Sequence, residues 1–219
     1  MARPNVILKL ATSLDGAIAT AGGESQWITG PLARAQVQRL RAGVDAVMIG
    51  AGTARADNPS LLARTDPAPV KQPVRVVVTS GFDIPHVGKL FEHTDQSALI
   101  VFGTAGGDAQ KQAQLEAAGA RVERLPSARV EMGAVLERLS ALGVRSLLAE
   151  GGAALAASLL GREFVDRVEW FRAPIVLGGD AKSGVGALAL GQLSQAFKWR
   201  RVALRELGPD LWESYERAL

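Results

Sequence analysis

Apolar residues fall along this chain in short, β-branched-rich blocks, most of them followed by a glycine break and then by a segment with helical spacing. Val6–Ala11 is the first block and reads as a buried strand, with a turn at Asp15-Gly16. After a glycine-rich stretch, "TGPLARAQVQRLRAG" predicts a helix. Thr29 can cap it, Pro31 sits in the first turn, Leu32, Val37 and Leu40 supply apolar positions, and Gly43 stops it. "VDAVMIGAG" (44–52) predicts a second buried strand ending in glycines. "ARADNPSLLAR" (54–64) then reads as a polar loop, because Asn58-Pro59 is a turn signal. "PVRVVVTS" (73–80) and "SALIVFGT" (97–104) are further strands, the first β-branched at Val76–Val78 as a strand covered on both faces would be.

A helix over about 108–118 leads to the short strand "ARVERL", and a helix near 131–142 leads to the strand "RSLLAEGG" (145–152). The helix "AALAASLLG" follows at once. "VDRVEWFRAPIVLGG" (165–179) reads as a strand interrupted by Pro174. "KWRRVALRELGPDLWESYER" alternates as an antiparallel hairpin around Gly208-Pro209. Strands alternating with helices and then an antiparallel tail predict an α/β domain with a mixed sheet. The segment 62–73, with three prolines, is expected as a loop rather than a boundary, so residues 1–219 are expected to form a single domain.

Composition narrows the class. Hydrophobic residues at 47% and charged residues at 21% place the chain among globular proteins rather than disordered ones. The net charge of +3 comes without a block of basic residues, which argues against nucleic acid and suits an anionic small molecule. With no cysteine, disulfides, thiolate nucleophiles and cysteine zinc sites are excluded. No apolar run reaches the roughly 18 residues of a membrane span, and the N-terminus lacks a signal-peptide core. The expectation is a cytoplasmic enzyme.

Three strand ends are rich in glycine and polar residues: Gly50-Ala51-Gly52-Thr53, Thr79-Ser80-Gly81 and Glu150-Gly151-Gly152. In open α/β sheets ligands bind beyond the carboxyl ends of strands, where backbone N–H groups and helix N-termini meet phosphate. A plainer reading is that each is turn chemistry, and three together weigh against it. "GAGTARA" (50–56) and "GGAALA" (151–156) both lack the full dinucleotide fingerprint, so a nucleotide here would need another α/β scaffold. His86 and His93 have no metal-type spacing and read as solvated loop residues, with no metal expected. Neither a nucleophile elbow nor a phosphate-binding P-loop motif occurs, which leaves chemistry carried by a bound cofactor.

Ser25, Arg41, Asp57, Arg64 and Glu150 lie in or beside the glycine-rich segments. Arg41 and Arg64 could clamp a phosphate. Asp57 and Glu150 could accept from the N–H edge of a pyrimidine or a nicotinamide amide. Arg41 could equally be a cation in the last turn of its helix.

"LKLATSLDGAIATAGGESQWIT", "ADNPSLLAR", "LLAEGGAALAASLL" and "VDRVEWFRAPIVLGGDA" resemble, in order, the signature blocks of the reductase domain of the riboflavin-biosynthesis deaminase–reductase family. The resemblance runs from Val6 to about Tyr215. It implies a dihydrofolate-reductase-like mixed sheet with flanking helices, a homodimer, and NADPH bound without the Rossmann fingerprint. It places Ser25, Arg41, Leu61, Arg64 and Glu150 around a phosphoribosylaminopyrimidine substrate. Ala11, Trp27, Thr53, Asp57, Ser80 and the turn from Gly152 to Ser158, with Gly151, Ala153, Ala154 and Leu155, fall around NADPH. In the family a ribosyl group opens and is reduced at C1′ to a ribityl chain. Such chemistry needs orientation and a dry pocket more than a strong nucleophile. Asp57 and Glu150, and after them Lys9, are the ionisable candidates for proton traffic.

The zinc deaminase of the bifunctional family needs cysteines that this chain lacks, so deamination is not expected, and Met1 with "ARPN" suggests a stand-alone reductase. The favoured expectation is reduction of a 5-amino-6-(5-phosphoribosylamino)uracil-type pyrimidine. Alternatives are the same reduction on the undeaminated diaminopyrimidinone, a pterin or dihydrofolate-type reductase, and a nucleotide-binding module without catalysis.

Overall fold

The computed structural model describes residues 2–218. In chain order the elements are β1 (Asn5–Thr12), β2 (Ala17–Ala19), α1 (Pro31–Ala42), β3 (Ala46–Gly50), α2 (Ala51–Asp57), β4 (Val74–Val78), β5 (Leu99–Thr104), α3 (Ala109–Ala117) and β6 (Arg121–Leu125). There follow α4 (Met132–Ala141), β7 (Ser146–Glu150), α5 (Ala153–Gly161), β8 (Arg167–Arg172), β9 (Lys182–Ser183), β10 (Trp199–Leu207) and β11 (Asp210–Arg217). The chain divides into two compact units, one of residues 2–5 and 38–148 and the other of residues 6–37 and 149–218. The class is the α/β one expected, with a parallel-dominated sheet, flanking helices and an antiparallel C-terminal hairpin.

In the first unit β3, β4, β5 and β6 form a parallel ladder in that order. Val47, Met48, Val76, Val77, Val101 and Phe102 are fully or almost fully buried, as the continuous apolar runs of parallel strands covered on both faces require. α4 buries Met132, Val135, Leu136 and Leu139, one stripe at helical spacing. Asp108 caps α3 by accepting from the N–H groups of Gln110 and Lys111. Asp45 secures the start of β7, accepting from the N–H groups of Arg145 and Ser146 at 2.9 Å.

In the second unit β1 pairs with β8 in parallel, β8 with β11 and β11 with β10 antiparallel. Glu169 on β8 is buried and accepts from Trp212 Nε1 at 2.6 Å, Ser214 Oγ at 2.5 Å and Arg167 Nε at 2.5 Å. A buried carboxylate needs such partners, and here Trp212 and Ser214 fasten β11 to β8. Phe171 and Trp212 stack beside it with centroids 5.8 Å apart.

Four local expectations are corrected. Residues 54–64 are not all loop: the second strand stops at Gly50 and α2 runs to Asp57, where Asn58, at φ 39° and ψ 56°, ends it in the left-handed region. Small residues mask α2 in the sequence, since only Ala54 is buried. Gly30 rather than Thr29 precedes α1, and its carbonyl accepts the first helical bond from Arg34 N–H at 3.1 Å. Leu32 is exposed, and Ala33 and Val37 form the buried face of α1. The strand expected over 165–179 ends at Arg172 before Ala173-Pro174. β2 and β9, which pair with each other, are too short to show a period.

No helix separates β4 from β5. The long connection is held instead by Arg75, fully buried in β4. Its guanidinium donates to the carbonyls of Leu90 (2.6 Å), Glu92 (2.9 Å) and Ser97 (2.6 Å) and to Ser97 Oγ (3.1 Å). Burial pushes its pKa down, and carbonyl dipoles stabilise the charge. Arg75→Leu leaves those carbonyls without a donor. It is expected to lower the free energy of unfolding by about 3 kcal/mol in urea titrations. Arg121→Leu, at an exposed arginine, is expected to change it by less than about 0.5 kcal/mol.

Candidate active site

In the first unit the candidate residues gather at the carboxyl ends of parallel strands. Gly50 and Val78 are register partners at the ends of β3 and β4, so α2 and Ser80 leave from the same edge. Thr53 and Asp57 stand four residues apart on α2, which puts them on one helical face. Ser80 is exposed, and its carbonyl accepts from Thr104 Oγ1 at 2.6 Å.

The segment after α2 carries Leu61 and Arg64, and side chains from elsewhere in the unit pin its backbone. Arg41 Nη1 donates to the Leu62 carbonyl at 3.3 Å. Gln72 accepts from Ala63 N–H at 2.8 Å and donates back to the Ala63 carbonyl at 2.9 Å. Gln38 Oε1 accepts from Arg64 N–H at 2.9 Å. Leu61 adopts φ 58° and is 1% exposed, so it is a core residue held in a left-handed conformation that leucine rarely takes. Arg64 is exposed, and its guanidinium has no partner among the described residues. The structure therefore brings Arg41, Leu61 and Arg64 to one pinned segment.

In the second unit Ala11 lies near the end of β1, and Lys9, half-buried, is the register partner of Glu169. Glu150 closes β7 and is 8% exposed. Gly151 and Gly152 follow, and Gly152 stands at the start of α5 with no side chain capping that helix. Ala153, Ala154 and Leu155 form the first turn; Leu155 is core and Ala154 is exposed. A helix beginning on glycines without a side-chain cap can direct its first N–H groups at a phosphate. The glycine-rich loop is a tight turn in which Gly23 N–H donates to the Thr20 carbonyl at 2.9 Å and Glu24 N–H to Thr20 Oγ1 at 3.1 Å. Gly23 has φ +93°, which favours glycine. Beyond it Ser25 is half-buried, and Trp27 is 68% exposed with the Arg34 guanidinium 4.6 Å from its ring centroid.

Sequence reasoning passed over several residues of this region. Lys182 on β9 sits against the glycine-rich loop, where a Cβ at Gly23 would come within 2.9 Å of its Nζ. Four residues on, Gly186 N–H donates to the Ala153 carbonyl at 2.9 Å. The strap 182–186 thus touches both the loop of Trp27 and the first turn of α5. Its only sequence signal was the run of small residues "SGVG". Gln38 and Gln72 carry no pattern that marks them. A cavity of about 230 Å³ in this unit, lined by Leu160, Glu163, Val165, Phe197 and Trp199 among others, contains none of the candidate residues. His86 and His93 are exposed in the connection between β4 and β5.

Asp15 anchors the segment leading to the strap. It accepts from Ser13 Oγ at 2.5 Å and from the N–H groups of Gly178 (2.8 Å) and Leu177 (3.2 Å). The Ser13 hydroxyl first, and the Gly178 N–H next, lower its pKa from the ordinary 3.8 to about 2.

A family model described as the RibD C-terminal domain matches residues 4–212. The riboflavin biosynthesis protein RibD of Bacillus amyloliquefaciens is 36% identical over 210 residues, which cover 95% of this chain and 56% of that protein. The chain thus spans little more than half the length of such relatives. The 2,5-diamino-6-ribosylamino-4(3H)-pyrimidinone 5′-phosphate reductase of Methanothermobacter thermautotrophicus is 36% identical over 219 residues, covering 97% of this chain and 98% of that one. Among solved structures, Acinetobacter baumannii RibD superposes with a TM-score of 0.85 at 28% identity, over 99% of this chain and 58% of that one. Among the described residues no helix is long and apolar enough to cross a membrane.

Because its folded pKa lies below its unfolded one, Asp15 contributes fully to stability above about pH 3.8 and loses that contribution as pH falls through about 2. A carbon-13 titration of the Asp15 carboxyl is expected to show a midpoint near 2; a midpoint at the ordinary 3.8 would mean that the clamp is not made.

Proposed function

The chain belongs to the RibD C-terminal domain family, and on that premise we propose that it reduces, with NADPH, the ribosyl group of a 5-amino-6-(5-phosphoribosylamino)uracil-type pyrimidine to a ribityl chain. The whole chain acts as one reductase domain, as a homodimer in the cytosol. The observation that carries the reading is Arg64: its backbone is pinned by Gln38 while its guanidinium is left without a protein partner. A fixed cation of that kind suits a sugar phosphate, which accepts two parallel N–H bonds from an arginine. Arg41, in the last turn of α1, brings a second cation against the same segment; Ser25 and Glu150 complete the substrate contacts, with Leu61, a core residue, fixing the backbone of that segment.

The residues present suit NADPH on two grounds. Trp27 offers a broad exposed ring, and α5 begins on glycines without a side-chain cap, where N–H groups can meet a phosphate. Ala11, Thr53, Asp57, Ser80 and the turn after Gly151 supply the remaining contacts. When bound, NADPH supplies the hydride. The chain's own part is to hold the opened sugar in place, exclude water and move one proton, with Asp57, Glu150 and Lys9 as the ionisable groups assigned to that task.

A second reading keeps the reaction and changes the base: the undeaminated diaminopyrimidinone is reduced instead. Its support is the Methanothermobacter thermautotrophicus reductase, named for that pyrimidinone, which is 36% identical over 97% of this chain. The two are separated by kcat/KM for each pyrimidine under NADPH. A higher value on the deaminated compound supports the first reading, a higher value on the other supports the second, and no turnover on either overturns both. Arg64→Ala is expected to raise KM for the phosphorylated pyrimidine about 10- to 100-fold, the loss of a charge-assisted contact, with a much smaller change in KM for NADPH.

A further inference from the structure

Trp27 is 68% exposed, an unusual setting for so large an apolar ring. An indole in water with no fixed neighbour samples several rotamers, and a ligand that stacks on it must first immobilise it, at a cost in affinity. Here one neighbour is fixed. The Arg34 guanidinium lies 4.6 Å from the ring centroid, within cation–π range.

Arg34 is itself held on several sides. Its Nη1 donates to the Thr29 carbonyl at 2.7 Å, and its backbone N–H makes the first hydrogen bond of α1, to Gly30. Gly30 N–H in turn donates to Oδ2 of Asp210 at 2.7 Å, and Asp210 is a buried residue at the start of β11. A continuous set of hydrogen bonds thus runs from β11 through Gly30 and the first turn of α1 to the guanidinium against Trp27. Arg34 forms no ion pair among the described residues, so no carboxylate draws the guanidinium away from the ring. With one ring face against Arg34, the exposure that remains belongs to the opposite face and the edges.

We propose that Arg34 is a positioning residue for cofactor binding: it fixes the Trp27 indole from one side so that the other face is ready to stack on a flat ring. This rests on the assignment of Trp27 to the NADPH site. Arg34 acts through Trp27 rather than by touching the cofactor, and it lowers the ordering cost of binding rather than the barrier of the reaction.

The test is a double-mutant cycle on the full chain, with NADPH as the probe and Kd read by energy transfer to the reduced nicotinamide. Arg34→Ala is expected to weaken NADPH binding about two- to fivefold, the range of one exposed cation–π contact. In a Trp27→Ala background it is expected to have no further effect. Arg34→Lys, which keeps the charge, recovers part of the loss, and Arg34→Met, which keeps the aliphatic stem and loses the charge, does not. In steady state the loss falls on KM for NADPH more than on kcat. An equal loss from Arg34→Ala with and without Trp27, or full recovery by Arg34→Met, overturns the proposal and makes Arg34 a direct contact or a packing residue. If Trp27→Ala weakens NADPH and Arg34→Ala does not, the positioning role alone fails. If Trp27→Ala leaves NADPH affinity unchanged in an active enzyme, the assignment of Trp27 fails and the positioning role with it.

Discussion

A loop that is to bind a ligand must first satisfy its own backbone, because every buried N–H and carbonyl left unpaired costs about as much as a lost hydrogen bond. That constraint organises this molecule. Its irregular segments are secured by polar side chains that reach from regular elements or from neighbouring turns. Arg75 secures the connection after β4, Gln38, Gln72 and Arg41 secure the segment after α2, and Asp15 secures Leu177 and Gly178. Asp210 does the same for Gly30 at the start of α1. In each case the donor or acceptor is spent on main chain, which leaves the neighbouring exposed side chains, Arg64 and Trp27 among them, available to a ligand.

The division of labour has a physical logic. Parallel strands such as β3 and β4 are covered on both faces and carry no chemistry of their own; they set where the next segment begins. Glycines and polar residues at their carboxyl ends permit close approach of backbone to ligand. The pinning bonds then hold those segments in one conformation, so that little ordering remains to be done when a ligand binds. The same holds for the single exposed indole, fixed from behind by an arginine that is itself tied to the helix start.

Much of this was legible in the sequence, and the exceptions have a common cause. The strands stand out because "VRVVV" and "LIVF" are apolar over their whole length, and α4 because its four buried residues repeat at helical spacing. α2 escaped because seven residues with one buried alanine carry no period. β9 escaped because two residues cannot show alternation. Arg75 carries no sequence signal within its strand, since its partners are three main-chain oxygens and the Ser97 hydroxyl 15 to 22 residues away. Arg34 lies on the far side of a helix start from Trp27, and nothing in the spacing links them. Ser25, Arg41, Arg64 and Glu150 were singled out by their place in or beside glycine-rich segments, and these together with Leu61 by motif resemblance. Side-chain-to-backbone bonds leave no periodic trace, and it is these that hold the candidate site.

The most direct measurement of the proposed reaction is the fate of the transferred hydrogen. Single turnover of the phosphoribosylaminopyrimidine with NADPH deuterated at C4 of the nicotinamide is predicted to give a ribityl product with one deuterium at C1′, read by mass spectrometry and proton resonance. A ribityl product without deuterium at that carbon, or oxidised cofactor with the sugar still cyclic, would contradict the account.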